Sequence, residues 1–190
     1  SAEAVRATDI DEIQAKLLFR YGKAGGDLAE RNSYGLAKYI YRMNPQFYLY
    51  ASLEAFSDKF KDLDLRTVYS IGAGKQLIQR PDLDLSVEAG IAYIDSKFGI
   101  EEDDGHLGAR LAGKVRYSLG RGWDLTDTLT AYTNFEETQD WQLHNELAVV
   151  APLGGGWTFK AGMITDIDND PGDDIEKMDD TYFLGVGYKF

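Results

Sequence analysis

The sequence predicts an all-β fold: a ten-stranded, antiparallel, up-and-down barrel that crosses a membrane. Three observations lead there. The 190-residue chain ends in Tyr182-Phe183-Leu184-Gly185-Val186-Gly187-Tyr188-Lys189-Phe190, where Tyr182, Leu184, Val186, Tyr188 and Phe190 alternate with mostly small or polar residues. Period-two alternation gives a strand one face for each of two solvents. Similar alternation recurs along nearly the whole chain. The connections between these segments are short and long in turn, as in membrane barrels with tight turns on one side and longer loops on the other.

Residues 1–10 read as a loosely held lead-in, and residues 11–190 as one barrel domain. The first predicted strand, 12–23, carries Ile13, Ala15, Leu17, Phe19 and Tyr21 on one face. The second, 33–43, is ambiguous, because Leu36 and Ile40 share a face with Lys38 and Arg42. Asn44-Pro45 then turns the chain into the third, 46–57, with Phe47, Leu49, Ala51, Leu53 and Ala55 in register. The fourth, 65–77, ends before the turn Gln79-Arg80-Pro81-Asp82. The fifth, 83–95, repeats the pattern with Leu85, Val87, Ala89, Ile91 and Tyr93. Gly120-Arg121-Gly122 separates the sixth, 107–119, from the seventh, 123–135. Gly154-Gly155 separates the eighth, 141–152, from the ninth, 156–167, which carries Trp157, Phe159, Ala161 and Met163. The tenth is 180–190. Each runs about 10–13 residues, enough to cross a bilayer at a tilt of about 45°. The longer connections are 24–32, 58–64, 96–106, 136–140 and 168–179.

Composition removes several function classes. A formal charge of −12 lacks the basic footprint of a nucleic-acid binder. The chain has no cysteine, hence no disulfides or thiol chemistry. No run of about 18 apolar residues exists to form a transmembrane helix. A mean hydropathy of −0.36 is compatible with a membrane barrel, where half of each strand is polar. Ser1-Ala2-Glu3-Ala4 is expected to follow a small-residue cleavage site, making this a mature or trimmed chain.

The faces opposite the apolar ones carry charges at mid-strand: Lys16, Arg20, Lys38, Glu54, Arg66, Glu88, Arg110, Lys114, Glu146 and Lys160. An apolar core does not hold so many charges, because buried charges must be paired or hydrated. The charges are therefore expected to line the lumen, with the apolar set facing lipid. A ten-stranded lumen is narrow, so pairing of Glu54, Glu88 and Glu146 with Arg and Lys would largely plug it. Aromatic belts are expected at both interfaces: Tyr21, Tyr93, Phe135 and Trp141 on the loop side, and Phe47, Tyr117, Trp123, Trp157 and Tyr188 on the turn side. Asp127 and Asn145 resist the pattern, since their register puts them on the lipid face.

Site motifs are few. Asp166, Asp168 and Asp170 have the spacing of a calcium loop, but Pro171 stands where that loop needs glycine and Lys177 where it needs glutamate. They read as a solvated acidic loop with at most weak affinity for divalent cations. His106 and His144 are the only histidines. His106 lies near Asp103 and Asp104, and His144 near Glu146, so a rim hydrolase or lipid-modifying enzyme is an alternative. The sequence has no Gly-x-Ser-x-Gly elbow, Walker A sequence or dinucleotide fingerprint. The expectation is a non-enzyme with no cofactor.

Several segments resemble a known family. They are Tyr50-Ala51-Ser52-Leu53-Glu54, Asp58-Lys59-Phe60, Asp62-Leu63-Asp64-Leu65-Arg66-Thr67 and Gly72-Ala73-Gly74, followed by Leu85-Ser86-Val87-Glu88-Ala89-Gly90-Ile91-Ala92-Tyr93, Pro152-Leu153-Gly154-Gly155-Gly156 and Gly185-Val186-Gly187-Tyr188-Lys189-Phe190. Over most of residues 33–190 the chain resembles the bacterial salt-induced outer-membrane proteins of the YdiY type, a domain family of unknown function. The resemblance implies an outer-membrane location and a link to salt or osmotic stress, and supplies no catalytic residues. The expected partners are outer-membrane lipid, lipopolysaccharide and the barrel-assembly machinery, which would read Tyr188 and Phe190 of the last strand. The expected state is a monomer. Alternatives are a narrow channel for small solutes or ions, and a soluble lipocalin-like ligand-binding barrel with an apolar lumen.

Overall fold

Alternating residues give each strand two unlike faces, and the hydrogen-bond ladder must then place like faces side by side. A computed structural model shows how this chain does so. It describes residues 2–24, 27–58, 63–98, 104–169 and 177–188; among these, the side chains of 2, 3, 20–24, 27–32, 58, 63, 98, 104 and 188 lie outside the description. The strands are β1 (Ala2–Ala7), β2 (Asp11–Ala24), β3 (Asp27–Arg42), β4 (Phe47–Asp58), β5 (Leu63–Gln79), β6 (Leu83–Phe98), β7 (Asp104–Gly120), β8 (Trp123–Asn134), β9 (Trp141–Gly154), β10 (Trp157–Asp168) and β11 (Met178–Tyr188). They form one antiparallel sheet in sequence order. The sheet curls into a half-barrel, with side chains of β2 and β5 meeting β9 across the interior.

Three expectations need correction. The described strands number eleven rather than ten, because residues 2–7 are not a lead-in but a strand on the edge of β2. Its turn is held locally: Thr8 N–H donates to the Asp11 carbonyl at 2.7 Å, and Arg42 N–H donates to the Ile10 carbonyl at 2.8 Å. Alanines at three of its six positions hid its alternation from the sequence. The ladder is also open among the described residues, since β1 and β11 each pair with one neighbour. Finally, the predicted loop 24–32 is mostly strand: β2 and β3 stay paired as far as Ala24 and Asp27. The backbone ladder does not require apolar side chains, so strands continue past the point where hydropathy stops marking them. β5 and β7 reach 17 residues for the same reason.

The outer wall is apolar. Leu17, Phe19, Leu49, Leu53, Val87, Ile91, Leu111 and Leu147 are all exposed on it, as are Tyr182, Leu184 and Val186 of β11. The wall continues from strand to strand through cross-strand partners such as Ile71 and Ile91. The interior mixes apolar and polar groups: Ile40, Tyr50, Val68, Ala92, Ile94 and Ile164 are buried, and so are Ser70, Thr130 and Arg110. The ambiguous second predicted strand resolves accordingly. Ile40 is buried on the interior face with Lys38, while Tyr39 and Tyr41 face out. The turn glycines Gly154, Gly155 and Gly156 have φ of 88°, 59° and 85°, a region that favours residues without a Cβ.

Candidate functional site

The interior face gathers residues from distant parts of the chain into a charged lattice. Its centre is Glu88 on β6. The carboxylate accepts hydrogen bonds from Lys38 Nζ at 2.5 Å, from an Arg110 guanidinium N–H at 2.8 Å and from the Tyr48 hydroxyl at 3.1 Å. Arg110 extends the chain to Glu54, 3.8 Å away. Glu54 also accepts from the Tyr34 and Tyr132 hydroxyls at 2.8 and 2.7 Å. Lys38, Glu88 and Arg110 side chains are only 10%, 10% and 7% exposed. Charges this dry are tolerable only when each meets an opposite charge or several hydrogen bonds.

Tyr50 fills the middle of this lattice. Lys38 Nζ lies 4.8 Å from its ring centroid and the Arg110 guanidinium carbon 5.1 Å away, both suited to attraction by the ring face. The ring has room because the registers set Tyr50 beside Gly72, Gly72 beside Gly90 and Gly90 beside Arg110. A Cβ added at Gly90 would lie 2.4 Å from the Ile71 carbonyl oxygen and 2.5 Å from the Tyr50 hydroxyl. Gly90→Ala is therefore expected to destabilise the fold by about 1–3 kcal/mol, the usual cost of overpacking. Gly113→Ala, with nothing within 4 Å of the added carbon, is expected to be near neutral. Denaturant midpoints of the two variants, compared with wild type, check this.

A second ionic group lies between the ends of the sheet. Glu146 on β9 accepts from Lys16 of β2 at 2.6 Å and from Lys160 of β10. Toward the loop side, Arg66 donates to the Ser96 hydroxyl at 3.0 Å and to the Gln142 side-chain carbonyl at 2.5 Å. His144 Nδ1 lies 2.5 Å from the Asp166 carboxylate, with the Tyr34 ring stacked 6.5 Å away. His106 Nε2 is 3.8 Å from Asp140. The carboxylate that His144 meets is thus Asp166 rather than the expected Glu146, while Asp103 and the side chain of Asp104, expected beside His106, lie outside the described residues. A His–Asp pair has the base and orienting acid of a general-base site.

The other predicted site residues fall as follows. Lys114 shares the interior face but is exposed and makes no ion pair among the described residues. The side chains of Arg20, Tyr21 and Tyr188, and all of Phe190, lie outside the described residues. Tyr93, Phe135, Phe47, Tyr117, Trp123 and Trp157 are exposed, and Trp141 is half-buried. Of the three acidic residues read as a weak metal site, Asp166 is engaged by His144, and Asp170 lies outside the described residues. Among the described residues no group of three or more metal-ligating side chains is assembled.

Two features escaped the sequence reading. The tyrosines Tyr34, Tyr48, Tyr50 and Tyr132 are members of the lattice; their interior parity was readable, their partners were not. The polar residues of the outer wall answer each other. Asn145 donates to Asp127 at 2.6 Å across β8 and β9, and Thr165 donates to Asp180 at 2.6 Å across β10 and β11. No change of register removes Asp127 from that face, since the β7–β8 irregularity is confined to Ser118–Gly120 at the turn.

The fold is shared with solved channel proteins. A NanC porin structure matches with a TM-score of 0.61 at 10% identity, over 99% of this chain and 91% of the porin. The CymD monoaromatic hydrocarbon channel matches with a TM-score of 0.50, also at 10% identity, over 99% of this chain and 72% of the channel. No curated protein matches the chain. Over its whole length, residues 1–190, the chain belongs to DUF481, a family of proteins of unknown function.

Proposed function

We propose that the chain is a bacterial outer-membrane barrel whose lumen is plugged by the interior lattice, with a structural role in salt or osmotic stress. One observation carries the plugged reading: Lys38, Glu88, Arg110 and Glu54 link β3, β6, β7 and β4 across the interior through contacts of 2.5, 2.8 and 3.8 Å. The apolar wall and the fold shared with channel and porin barrels support the membrane location. Ten strands, β2 to β11, have the 9–11 or more residues a crossing needs. Lipid and lipopolysaccharide would contact the wall, and the assembly machinery would read the last strand. The barrel would act as a monomer and without catalysis. The stress role rests on the family resemblance.

A narrow channel is the second reading. It is favoured by the names of both solved structures and by the charged interior, since lumen charges set selectivity where a path exists. Planar-bilayer recording separates the two. Wild-type protein is expected to pass little current, and the Lys38→Ala/Glu88→Ala variant to pass clearly more. A stable open conductance from wild type would replace the plugged reading with the channel.

A further inference from the structure

The two edges of the sheet cannot close on each other in the antiparallel manner. With every neighbouring pair antiparallel and eleven strands in order, β1 and β11 run in the same direction. Open sheet edges do not persist in hydrocarbon, where each unpaired backbone group costs several kcal/mol. A second copy inserted with the same orientation does not help, because its edge strands run the same way. β2 and β11, in contrast, run in opposite directions, and β2's outer edge is held by β1.

We propose that β1 is a placeholder on the edge of β2, and that β11 displaces it to close a ten-stranded barrel in the membrane. The proposal rests on the membrane-barrel reading above. β1 has six residues and pairs only with Glu12–Leu17, short of the roughly 9–11 that a crossing needs. β2 has 14 and β11 has 11. The second half of β1 does not suit a barrel wall: its register puts Arg6 beside Ile13 on the outer face and Val5 beside Gln14 on the interior face. β11 has the correct alternation, with Tyr182, Leu184 and Val186 outward. The interior already draws the sheet's ends together, since Lys16 of β2 reaches Glu146 of β9 at 2.6 Å. A covered β2 edge would also protect the chain from edge-to-edge association before insertion.

The chain has no cysteine, so engineered pairs report without background. Ala4→Cys with Ala15→Cys tests the β1–β2 pair, whose members are direct partners. Ala15→Cys combined in turn with Tyr182→Cys, Leu184→Cys and Val186→Cys tests β2–β11. In lipid vesicles, one of the β11 pairs is expected to cross-link and the β1 pair to lose its cross-link. Deleting residues 1–7 is expected to leave the heat-shifted, protease-resistant barrel intact. A persistent 4–15 cross-link in vesicles, with none from β11, overturns strand exchange while leaving the membrane barrel standing; this is also the outcome if another strand fills the gap between β1 and β11. Failure of the full chain to insert at all overturns both.

Discussion

Replacing Glu88 by alanine is expected to destabilise the protein by about 3–5 kcal/mol, the usual consequence of stripping a buried charge of its partner. Glu88 faces two cations, Lys38 at 2.5 Å and Arg110 at 2.8 Å, and both are almost dry. Without the carboxylate, Arg110 keeps Glu54 at 3.8 Å, whereas Lys38 loses its 2.5 Å ion pair and keeps the face of the Tyr50 ring. The loss should be strongly non-additive. Lys38→Ala/Glu88→Ala should lie well above the sum of the single variants in stability, because the second change removes the stranded cation. An exposed pair gives the control. Arg80 and Asp82 lie 3.1 Å apart with side chains 59% and 58% exposed, and Asp82→Ala is expected to change stability by less than about 1 kcal/mol. Denaturant unfolding of the inserted protein, followed by tryptophan fluorescence, measures all four. A Glu88→Ala loss no larger than that of Asp82→Ala would mean that water fills the interior and no plug exists.

Which features were legible follows from the range of the forces involved. The face of each strand is set by neighbours two residues away, so Leu49, Val87 and Leu184 could be assigned outward from local pattern alone. The same parity placed Lys38, Glu88 and Arg110 together on the interior face. Their pairing was another matter. Lys38 and Glu88 sit 50 positions apart on strands that do not touch in the ladder, and the curl of the sheet brings them together. Tyr50 illustrates a subtler limit. The alignment of Gly72 with Gly90 opens the slot that holds the ring, and alignment depends on registers no single segment encodes. Residues 2–7 failed for the opposite reason. Ala-Glu-Ala-Val-Arg-Ala alternates too weakly to signal a strand, and the partner that makes it one is the edge of β2.

Arginine on the outer wall should reveal what that wall touches. Ile71 is the middle residue of β5, eight positions from each end, and is 66% exposed with Ala51 and Ile91 as its cross-strand partners. At the centre of a bilayer, Ile71→Arg is expected to cost roughly 2–4 kcal/mol. Leu119 shares the outer face but sits one residue from the turn-side end of β7 and is 52% exposed. There the cost is expected to fall to about 0–1 kcal/mol, since an arginine near the interface reaches the headgroups. A soluble barrel gives a different pattern. An exposed apolar residue in water would accept arginine at either position with little change, and the damaging substitutions would be apolar-to-charged changes inside. Reversible folding into lipid vesicles, titrated with denaturant, yields both free energies from the same assay. A depth-dependent gap between the two positions requires hydrocarbon against the middle of the wall; equal and small effects would place that wall in water and remove the membrane barrel, its plug and the strand exchange together.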